Sequence, residues 1–397
     1  MHIGIASPIT ILDFIDYLDS ESQLIAKNLN GLKAPSVDTL IRGLLNEGYK
    51  ISIYTLTPEV NQILILNGDK LKIFVGPYRK KGWLRAIDLF SFESKKIKKM
   101  IYMDSNLPDV LHANWTYEYA KGISSFSEKL PTLVTVHDWA PKVLRLDLNY
   151  YRLSRYIIDT LVFKTKGLNF VANSPYIASM VEKKWKLSIP FIPNAINNIY
   201  LIKKRVSQIN SNFKIISVSN NVGKGKNIET LLYSFKEFKA KFTNSSLSLI
   251  GIPFVSSNPT IKKWNDKNLL EGVSLLGPLN HIALIEEYDK ANVLVHPSLE
   301  ESFGNVLIEA MARKLPIIGG VNSGAVPYVL KNGEAGLLCN VTSVKELFNA
   351  IKYIYTNKNF RSKLIGNGDK LVNSVYHQKI VVDQTIKIYN DLIRENK

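Results

Sequence analysis

The sequence predicts an α/β fold made of two doubly wound domains that face each other across a cleft. The chain has 397 residues, which is more than one hydrophobic core usually serves. Short β-branched or apolar runs alternate with longer amphipathic runs, and this order is typical of parallel strands joined by helices. The alternation pauses around Pro193 and then restarts. In such sheets, ligands bind at the carboxyl ends of the strands.

The first half of the chain predicts a domain over residues 1–200. It begins with a strand in HIGIAS, a helix in VDTLIRGLLNEG and a strand in KISIYTL. Further strands are predicted in LVTVHD, LNFVANS and SIPFIPN. The polar segment KKRVSQINSNF then places the domain boundary between about Ile196 and Asn212.

The second half predicts a domain over residues 201–377. Its strands are predicted in KIISVS, SLSLIGI, GVSLLG, ANVLVHPS, LPIIGG and AGLLCN, with helices between them. The chain finishes with a long helical pattern from Val381 to Arg394. We expect this helix, over about 378–397, to pack back on the first domain.

Composition and charge limit the kinds of function. Hydrophobic residues make up 46% and charged residues 21%, as in ordinary globular proteins. Lys and Arg total 51 against 34 Asp and Glu, a net charge of +17 that predicts an anionic partner. A phosphorylated substrate, an anionic membrane or nucleic acid would each suit this charge. Because no nucleic-acid recognition motif accompanies it, we do not expect nucleic acid to be the partner.

The sequence predicts a protein of the cytoplasm. The start MHIGIASPIT lacks the basic residues and long apolar run of a signal peptide, and no apolar run reaches the roughly 18 residues that span a bilayer. The single cysteine, Cys339, has no partner at zinc-ligand spacing and fits a reducing compartment. We expect no metal site.

The stretch HPSLEESFGNVLIEAMA carries two carboxylates, Glu301 and Glu309, in a predicted strand, loop and helix. Gly304 stands at the predicted helix start, where a close backbone approach and the helix dipole favour a phosphate. Taken alone, the acids are also typical of a helix cap and a solvated surface. The spacing by itself does not choose between these interpretations.

The longer string resembles the E-x7-E signature of family 4 retaining glycosyltransferases. This resemblance implies the GT-B fold, with its two Rossmann-like domains. The matching residues are Ser298, Glu301, Phe303, Gly304, Glu309, Ala310, Met311 and Ala312. Ser302 stands where the family usually has Gly, and this departure bears on which sugar is bound.

The resemblance implies a role for each part of the motif. Glu309 would accept hydrogen bonds from the nucleotide ribose, and Glu301 would accept them from the transferred sugar. The backbone N–H groups of Phe303, Gly304 and Asn305 would meet the diphosphate or the sugar, with Ser302 beside it.

Two other segments of the second half resemble donor-binding parts of the family. In ISVSNNVGKGKNIETLLYSF, Lys226 followed by Asn227 matches the family's basic residue that neutralises the diphosphate, and Lys224 competes one register earlier. The string also fits a flexible basic loop, and it is not a P-loop. In VSLLGPL, the backbone of Gly277, Pro278 and Leu279 would pair with the nucleobase or form an ordinary turn. Tyr328 replaces a Glu that is common in the family.

The first domain offers fewer candidates. By resemblance, Gly31 would lie near the donor phosphates. His137, at the end of LVTVHD, is the histidine that best matches a residue at the donor sugar or the reacting centre. His112 is the second candidate, and His296 is expected to pack behind the motif loop. A lone histidine is also commonly structural.

Basic and aromatic residues cluster between Lys70 and Lys99, in KLKIFVGPYRKKGWLRAIDLFSFESKKIKKM. Such a charge run is typical of a solvated surface. It also fits contact with an anionic membrane on the inner face of the cell membrane, where Trp83 or Phe90 would dip into the interface.

The sequence thus predicts a retaining, metal-independent glycosyltransferase that needs no cofactor. It would move a sugar from a nucleotide diphosphate-sugar to a glycan or lipid-linked acceptor in cell-surface polysaccharide synthesis, with Glu301, Lys226 and His137 as catalytic residues. A nucleotide-sugar 2-epimerase of the same fold and a non-catalytic glycan-binding subunit are the alternatives. Retention of both motif acids argues against the non-catalytic subunit.

Overall fold

The protein forms two compact α/β units in a computed structural model that describes residues 1–202 and 212–396. The first unit comprises Met1–Ala195 together with the C-terminal helix, and the second comprises Ile196–His377. Most of the interval in which the boundary was expected, with nearly all of KKRVSQINSNF, lies outside the described residues.

A seven-stranded sheet forms the centre of the first unit, in the order β3-β4-β2-β1-β5-β6-β7. All neighbouring pairs in it are parallel except β3 and β4. The strands are β1 (His2–Ala6), β2 (Lys50–Thr57), β3 (Leu64–Asn67), β4 (Leu71–Pro77), β5 (Val110–Asn114), β6 (Thr132–Val136) and β7 (Asn169–Ala172).

Helices cover both faces of this sheet, and each face has its own buried apolar cluster. The central strands are therefore apolar on both sides, as parallel sheets require. The helices are α1 (Ser20–Ala26), α2 (Pro35–Asn46), α3 (Gly82–Ile87), α4 (Ser91–Met103), α5 (Glu118–Ile123), α6 (Ala140–Leu146), α7 (Tyr150–Phe163) and α8 (Pro175–Trp185).

The second unit is built on a six-stranded parallel sheet in the order β10-β9-β8-β11-β12-β13. Its strands are β8 (Phe213–Val218), β9 (Ser245–Ile250), β10 (Val273–Leu275), β11 (Val293–His296), β12 (Ile317–Gly320) and β13 (Leu337–Cys339). Its helices are α9 (Ile228–Lys241), α10 (Pro259–Asp266), α11 (His281–Lys290), α12 (Asn305–Ala312), α13 (Val326–Val329), α14 (Val344–Thr356) and α15 (Lys358–Leu371). Every strand predicted in this half forms.

The last helix, α16 (Gln378–Glu395), belongs to the first unit. Val382 and Tyr389 on this helix join the apolar cluster beneath β1 and β2. The side-chain amide of Gln378 donates to the carbonyl oxygen of Thr39 on α2 at 2.6 Å. The tyrosine hydroxyl of Tyr389 lies 2.6 Å from Nδ1 of His112 on β5. These contacts make α16 an integral part of the first core.

Two sequence expectations for the first unit are wrong. SIPFIPN forms no strand beyond one isolated bridge between Ala172 and Phe191, because Pro190 and Pro193 carry no backbone N–H for a ladder. Phe90, expected to reach a membrane, is fully buried against Tyr151 at 5.5 Å between ring centres. Trp83, in contrast, is exposed.

None of the helices within residues 1–202 and 212–396 combines the length and the apolar character needed to cross a membrane.

Gly251 joins the carboxyl ends of three neighbouring strands in the second sheet. Its φ of +137° lies in a region that side-chain-bearing residues rarely adopt. A Cβ there would lie 1.8 Å from the carbonyl oxygen of Ser219, just after β8. The Gly251 N–H donates to the Gly277 carbonyl oxygen, just after β10, at 2.8 Å. Only glycine therefore fits this close approach.

We expect Gly251→Ala to lower the free energy of unfolding by more than about 3 kcal/mol, since both a clash and backbone strain are introduced. The matched control is Gly366→Ala on α15, where a Cβ would meet nothing within 4 Å. There the change should stabilise by about 0.5 to 1 kcal/mol, because alanine favours the helix. Urea unfolding of both variants measures the difference. Equal stabilities would show that the Gly251 backbone is not constrained in this way.

Candidate active site

The motif loop and the lysine turn lie at the same edge of the second sheet. The turn that carries Lys226 follows β8, and the loop that carries Glu301 follows β11. Since β8 and β11 are parallel neighbours, their carboxyl ends, and the loops that follow, are adjacent. Folding therefore brings together two segments that are 75 residues apart in sequence.

Glu301 is held by two basic side chains. Its Oε1 contacts the Lys226 ammonium group directly and lies 3.1 Å from Nε2 of His296, the last residue of β11. Burial alone would raise the pKa of Glu301, but the charge of Lys226 and the hydrogen bond from His296 outweigh it and hold this pKa well below its usual range. Glu301 is therefore a carboxylate at neutral pH. His296 packs behind the loop, as expected, and also orients this acid.

Backbone hydrogen bonds fix the loop around Glu301. The N–H of Leu299 donates to the carbonyl oxygen of Gly225 in the lysine turn at 2.8 Å. From the other side, the N–H of Ala325, in the loop after β12, donates to the Glu301 carbonyl oxygen at 2.8 Å. The Glu301 backbone is thus clamped by the loops of both neighbouring strands, which limits how far its carboxylate can move.

Asn227 braces the same edge. Its side-chain amide donates to the carbonyl oxygens of Pro297 at 3.2 Å and Val341 at 2.7 Å, while its Oδ1 accepts from the Thr230 hydroxyl at 2.6 Å. The side chain thus ties together three loops of the second sheet. Contact between Asn227 and a donor stays a prediction. Lys224, the competing lysine, is exposed, whereas Lys226 is half-buried.

Helix α12 begins directly behind the loop. Gly304 precedes it with φ at +93°, and a Cβ there would lie 3.0 Å from Leu307. The positive end of the helix dipole therefore meets the loop of Glu301. Phe303 is buried with its ring edge-on to Tyr376 at 5.8 Å, while Ser302 and Asn305 are half-buried.

Glu309 lies on α12 among tyrosines that the sequence analysis did not identify. The Tyr288 hydroxyl donates to its Oε2 at 3.1 Å, and Tyr200 also hydrogen-bonds to this carboxyl. The Tyr200 hydroxyl lies 2.8 Å from Nδ1 of His281. Burial raises the pKa of Glu309 to about 7, although both tyrosine hydrogen bonds oppose this. Glu309 is therefore partly protonated at neutral pH.

A buried arginine supports this group from beneath. Arg313 binds the Asp289 carboxylate in two places, at 2.9 and 2.7 Å, and its Nη1 donates to the Tyr200 carbonyl oxygen at 2.9 Å. Such a bidentate pair fixes the position of Tyr200. An arginine four residues after Glu309, one helical turn away, was the sequence signal that could have suggested a polar cluster here.

Parts of the segment expected at the nucleobase already form hydrogen bonds and packing contacts within the second unit. The Gly277 N–H donates to the Phe254 carbonyl oxygen at 3.1 Å, and its carbonyl accepts from Gly251. Pro278 is exposed, and Leu279 packs partly against the second core. The N–H of Gly277 therefore already donates within the fold, and its carbonyl oxygen already accepts one hydrogen bond there. Tyr328 is half-buried on α13.

Gly31 and His137, the first-unit candidates, each contact neighbours within that unit. The Gly31 N–H donates to the Glu59 carboxylate at 3.1 Å. His137 directly follows β6, and its Nε2 lies 2.8 Å from Oδ1 of Asn114, with the Trp115 ring at 4.4 Å. Burial lowers the pKa of His137 to about 3, so the ring is neutral and can donate or accept one hydrogen bond at each nitrogen.

His112, the second histidine candidate, is a structural residue. Its two ring nitrogens meet the hydroxyl groups of Tyr389 and Thr135, each at 2.6 Å. Burial lowers its pKa to about 3 as well. His112 therefore joins α16 to the sheet rather than facing a substrate. Together with Asn114 and His137 it lines a cavity within the first unit.

Comparison with known proteins identifies the second unit. The family described as Glycosyl transferases group 1 matches residues 201–371. This part of the chain is therefore similar to the group 1 glycosyl transferases. The match includes the lysine turn, the loop of Glu301 and helix α12, so the candidate site lies inside it.

Relatives extend the similarity to the whole chain. The capsular polysaccharide biosynthesis glycosyltransferase CapM of Staphylococcus aureus is 28% identical over 53% of this chain and 54% of its own length, about half of each. The alpha-monoglucosyldiacylglycerol synthase of Acholeplasma laidlawii is 24% identical over 91% of this chain and 94% of its own. Sucrose-phosphate synthase from Thermosynechococcus elongatus has the same fold, with a TM-score of 0.76, 19% identity and full coverage of both chains. The predicted GT-B fold of two Rossmann-like domains is confirmed, and the protein is a glycosyltransferase enzyme.

We expect Glu309→Gln to change how the stability of this glycosyltransferase depends on pH. In the unfolded chain Glu309 loses its proton near 4.5, whereas burial raises its folded pKa to about 7. The folded protein therefore binds more protons between these values, and its stability falls as pH rises through that window. Glutamine removes the cost of the charge and should stabilise by up to about 3 kcal/mol at pH 8 relative to pH 4.5.

Urea unfolding of Glu309→Gln and the natural protein at both pH values measures this effect. The variant Glu286→Gln, an exposed acid on α11, is the control and should show no such pH dependence. The interpretation of Glu309 fails if its variant differs from the natural protein equally at pH 4.5 and pH 8.

Proposed function

We propose that this glycosyltransferase moves a sugar, with retention of anomeric configuration, from a nucleotide diphosphate-sugar to a glycan or lipid-linked acceptor in cell-surface polysaccharide synthesis. The observation that carries the proposal is the contact of Lys226 and His296 with Glu301 at the N-terminus of α12. A cation and a helix dipole there suit a diphosphate, and an ionised carboxylate beside them suits sugar hydroxyls.

Lys226 and α12 would stabilise the leaving group. As the bond from the anomeric carbon to the diphosphate breaks, negative charge grows on the phosphate oxygens. Lys226 is half-buried, so its charge is less screened than that of the exposed Lys224. A phosphate that approaches Lys226 would share the Lys226 ammonium group with Glu301. Glu301 would keep its hydrogen bond to His296.

The two motif acids would hold different parts of the donor. Glu301 is ionised and clamped, so it is a strong and well-placed acceptor for hydroxyl groups of the sugar. Glu309, steadied by Tyr288 and Tyr200, would accept hydrogen bonds from the ribose hydroxyls. Ser302 lies next to Glu301 and would contact the sugar, where its side chain affects which sugar fits.

The transfer would need no protein nucleophile. In a front-side reaction the acceptor oxygen bonds to the anomeric carbon on the face from which the diphosphate leaves, and the leaving phosphate oxygen takes the acceptor's proton. Both acids then act by binding and orientation. We also propose that neither a metal ion nor a cofactor takes part, since Lys226 and the helix supply positive charge to the diphosphate.

The acceptor class is proposed from the relatives and from charge. A relative that matches about half of this chain is named for capsular polysaccharide, and one that matches 91% of it is named for a glucosyl diacylglycerol. The net charge of +17 suits an acceptor at an anionic membrane surface. We therefore place the protein in the cytoplasm, at the inner face of the cell membrane, with neutral His137 as the first-unit residue that would meet the sugar or acceptor.

We expect Lys226→Ala to lower kcat by a factor of about 100 to 1,000, which is typical when a charge-stabilising group is lost. Lys224→Ala, two residues away and exposed, is the matched control and should lose less than about tenfold. Steady-state kinetics with saturating donor separate the two lysines. A larger loss of kcat for Lys224→Ala than for Lys226→Ala would show that Lys224 contacts the diphosphate instead.

A donor panel tests the activity itself. Nucleotide diphosphate-sugars with different bases and sugars are incubated with the protein, with and without candidate acceptors, and free nucleoside diphosphate is measured. We expect acceptor-dependent release that is unchanged by EDTA. Epimerised donor sugar without any acceptor would instead indicate a 2-epimerase, and no release with any donor would indicate a binding subunit. Loss of release in EDTA would contradict the metal-free mechanism.

A further inference from the structure

An exposed apolar stripe runs along α7 in the first unit. Tyr150, Leu153, Ile157 and Leu161 are all exposed and recur at three- and four-residue spacing, so they share one face of the helix. The buried residues of α7, such as Ile158 and Val162, lie on a different face that packs into the core. The core of the first unit therefore packs against another face of α7 and leaves the stripe exposed.

Neighbouring segments extend this stripe. Helix α3 packs against α7, where the Arg85 guanidinium lies over the Tyr151 ring at 5.5 Å. On α3, Trp83 and Ile87 are 56% and 62% exposed. Leu148, in the turn before α7, is 83% exposed. We call these residues together with the stripe the α3–α7 surface.

Positive charge surrounds this surface. Residues 79–87 contain four basic residues and no acid. Residues 140–166 contain six basic residues and only two acids, Asp147 and Asp159, of which Asp159 is buried. Lys80, Lys81, Arg145 and Lys164 are exposed at its margins. Apolar side chains bordered by lysine and arginine are the pattern of a protein that lies on an anionic bilayer.

We propose that the α3–α7 surface docks the first unit on an anionic phospholipid bilayer. The aliphatic and aromatic side chains would enter the headgroup boundary, and the lysines would meet lipid phosphates. Nucleic acid would use the charge but leave exposed aliphatic side chains such as Leu153 and Ile157 without a role. The surface keeps residues 80–87 of the Lys70–Lys99 segment and adds α7, whereas β4 and Phe90 of that segment are buried and take no part.

This inference rests on the proposed function only in that the bilayer would carry the lipid-linked acceptor. Docking itself depends on residues outside the candidate active site. The two can therefore fail separately. Vesicle binding without any sugar transfer would reject the proposed function and leave the docking proposal intact. Sugar transfer without vesicle binding would reject docking and leave the proposed function intact.

Co-sedimentation of the full chain with phospholipid vesicles tests the proposal. We expect binding to vesicles of mixed phosphatidylglycerol and phosphatidylcholine, weakened by salt, and much weaker binding to pure phosphatidylcholine. Leu153→Ser/Ile157→Ser and Lys80→Glu/Lys81→Glu should each weaken binding by at least about tenfold. Trp83 emission should shift to the blue on binding, and Trp83→Phe should abolish the shift.

Matched controls lie in the second unit. Ile252→Ser/Ile282→Ser removes exposed apolar residues, and Lys262→Glu/Lys263→Glu makes the same change in charge on α10. Both should bind vesicles within about twofold of the natural protein. Transfer to a water-soluble acceptor should be unchanged in all four double variants, which shows that they fold.

The proposal is overturned if the surface variants bind as the natural protein does, or if the control variants lose binding equally. It is also overturned if anionic vesicles do not bind and sedimentation shows a dimer that Leu153→Ser/Ile157→Ser dissociates. The surface would then be an interface between two copies of the chain.

Discussion

The contact between Lys226 and Glu301 joins two loops that are far apart in sequence, and the rest of the candidate site is arranged around it. It exists because β8 and β11 are parallel neighbours whose carboxyl ends meet. His296 adds a hydrogen bond from the strand end, and the loop after β12 clamps the Glu301 backbone. A buried carboxylate is costly unless it is paired, so the pair also stabilises the loop conformation that it occupies.

The two motif acids are in contrasting environments on either side of one helix start. Glu301 faces two basic groups and has a depressed pKa, whereas Glu309 faces tyrosine hydroxyls and has a raised one. The same residue type thus provides a fixed negative charge at one position and a group that can carry a proton at the other. A raised carboxylate pKa such as that of Glu309 costs folding free energy at neutral pH, and such perturbed groups cluster at functional sites.

Periodicity and turn residues are local signals, and they predicted the βα order and the strands of the second sheet. The family resemblance implied that Lys226 and Glu301 both bind the donor, but their direct contact was not predicted. The sequence did not predict Tyr200 and Tyr288 beside Glu309, since these residues lie 109 and 21 positions away in the chain and meet only through packing. It also placed Phe90 at the surface, although tertiary contact with Tyr151 buries it. The strands β3, β4 and β5 were also not predicted, and β4 lies in the segment whose basic residues suggested a surface run.

The return of α16 to the first unit also has a consequence for biosynthesis. Residues of α16, among them Val382 and Tyr389, complete a core whose other members all precede residue 193. Nδ1 of His112 has its hydroxyl partner only when Tyr389 is in place. On the ribosome these residues emerge only after residues 196–377 have been made. The first unit therefore spends that time with one face of α2 uncovered, and the second unit can finish folding before the first. Nascent chains of this protein would thus depend on keeping that apolar face soluble until α16 has emerged.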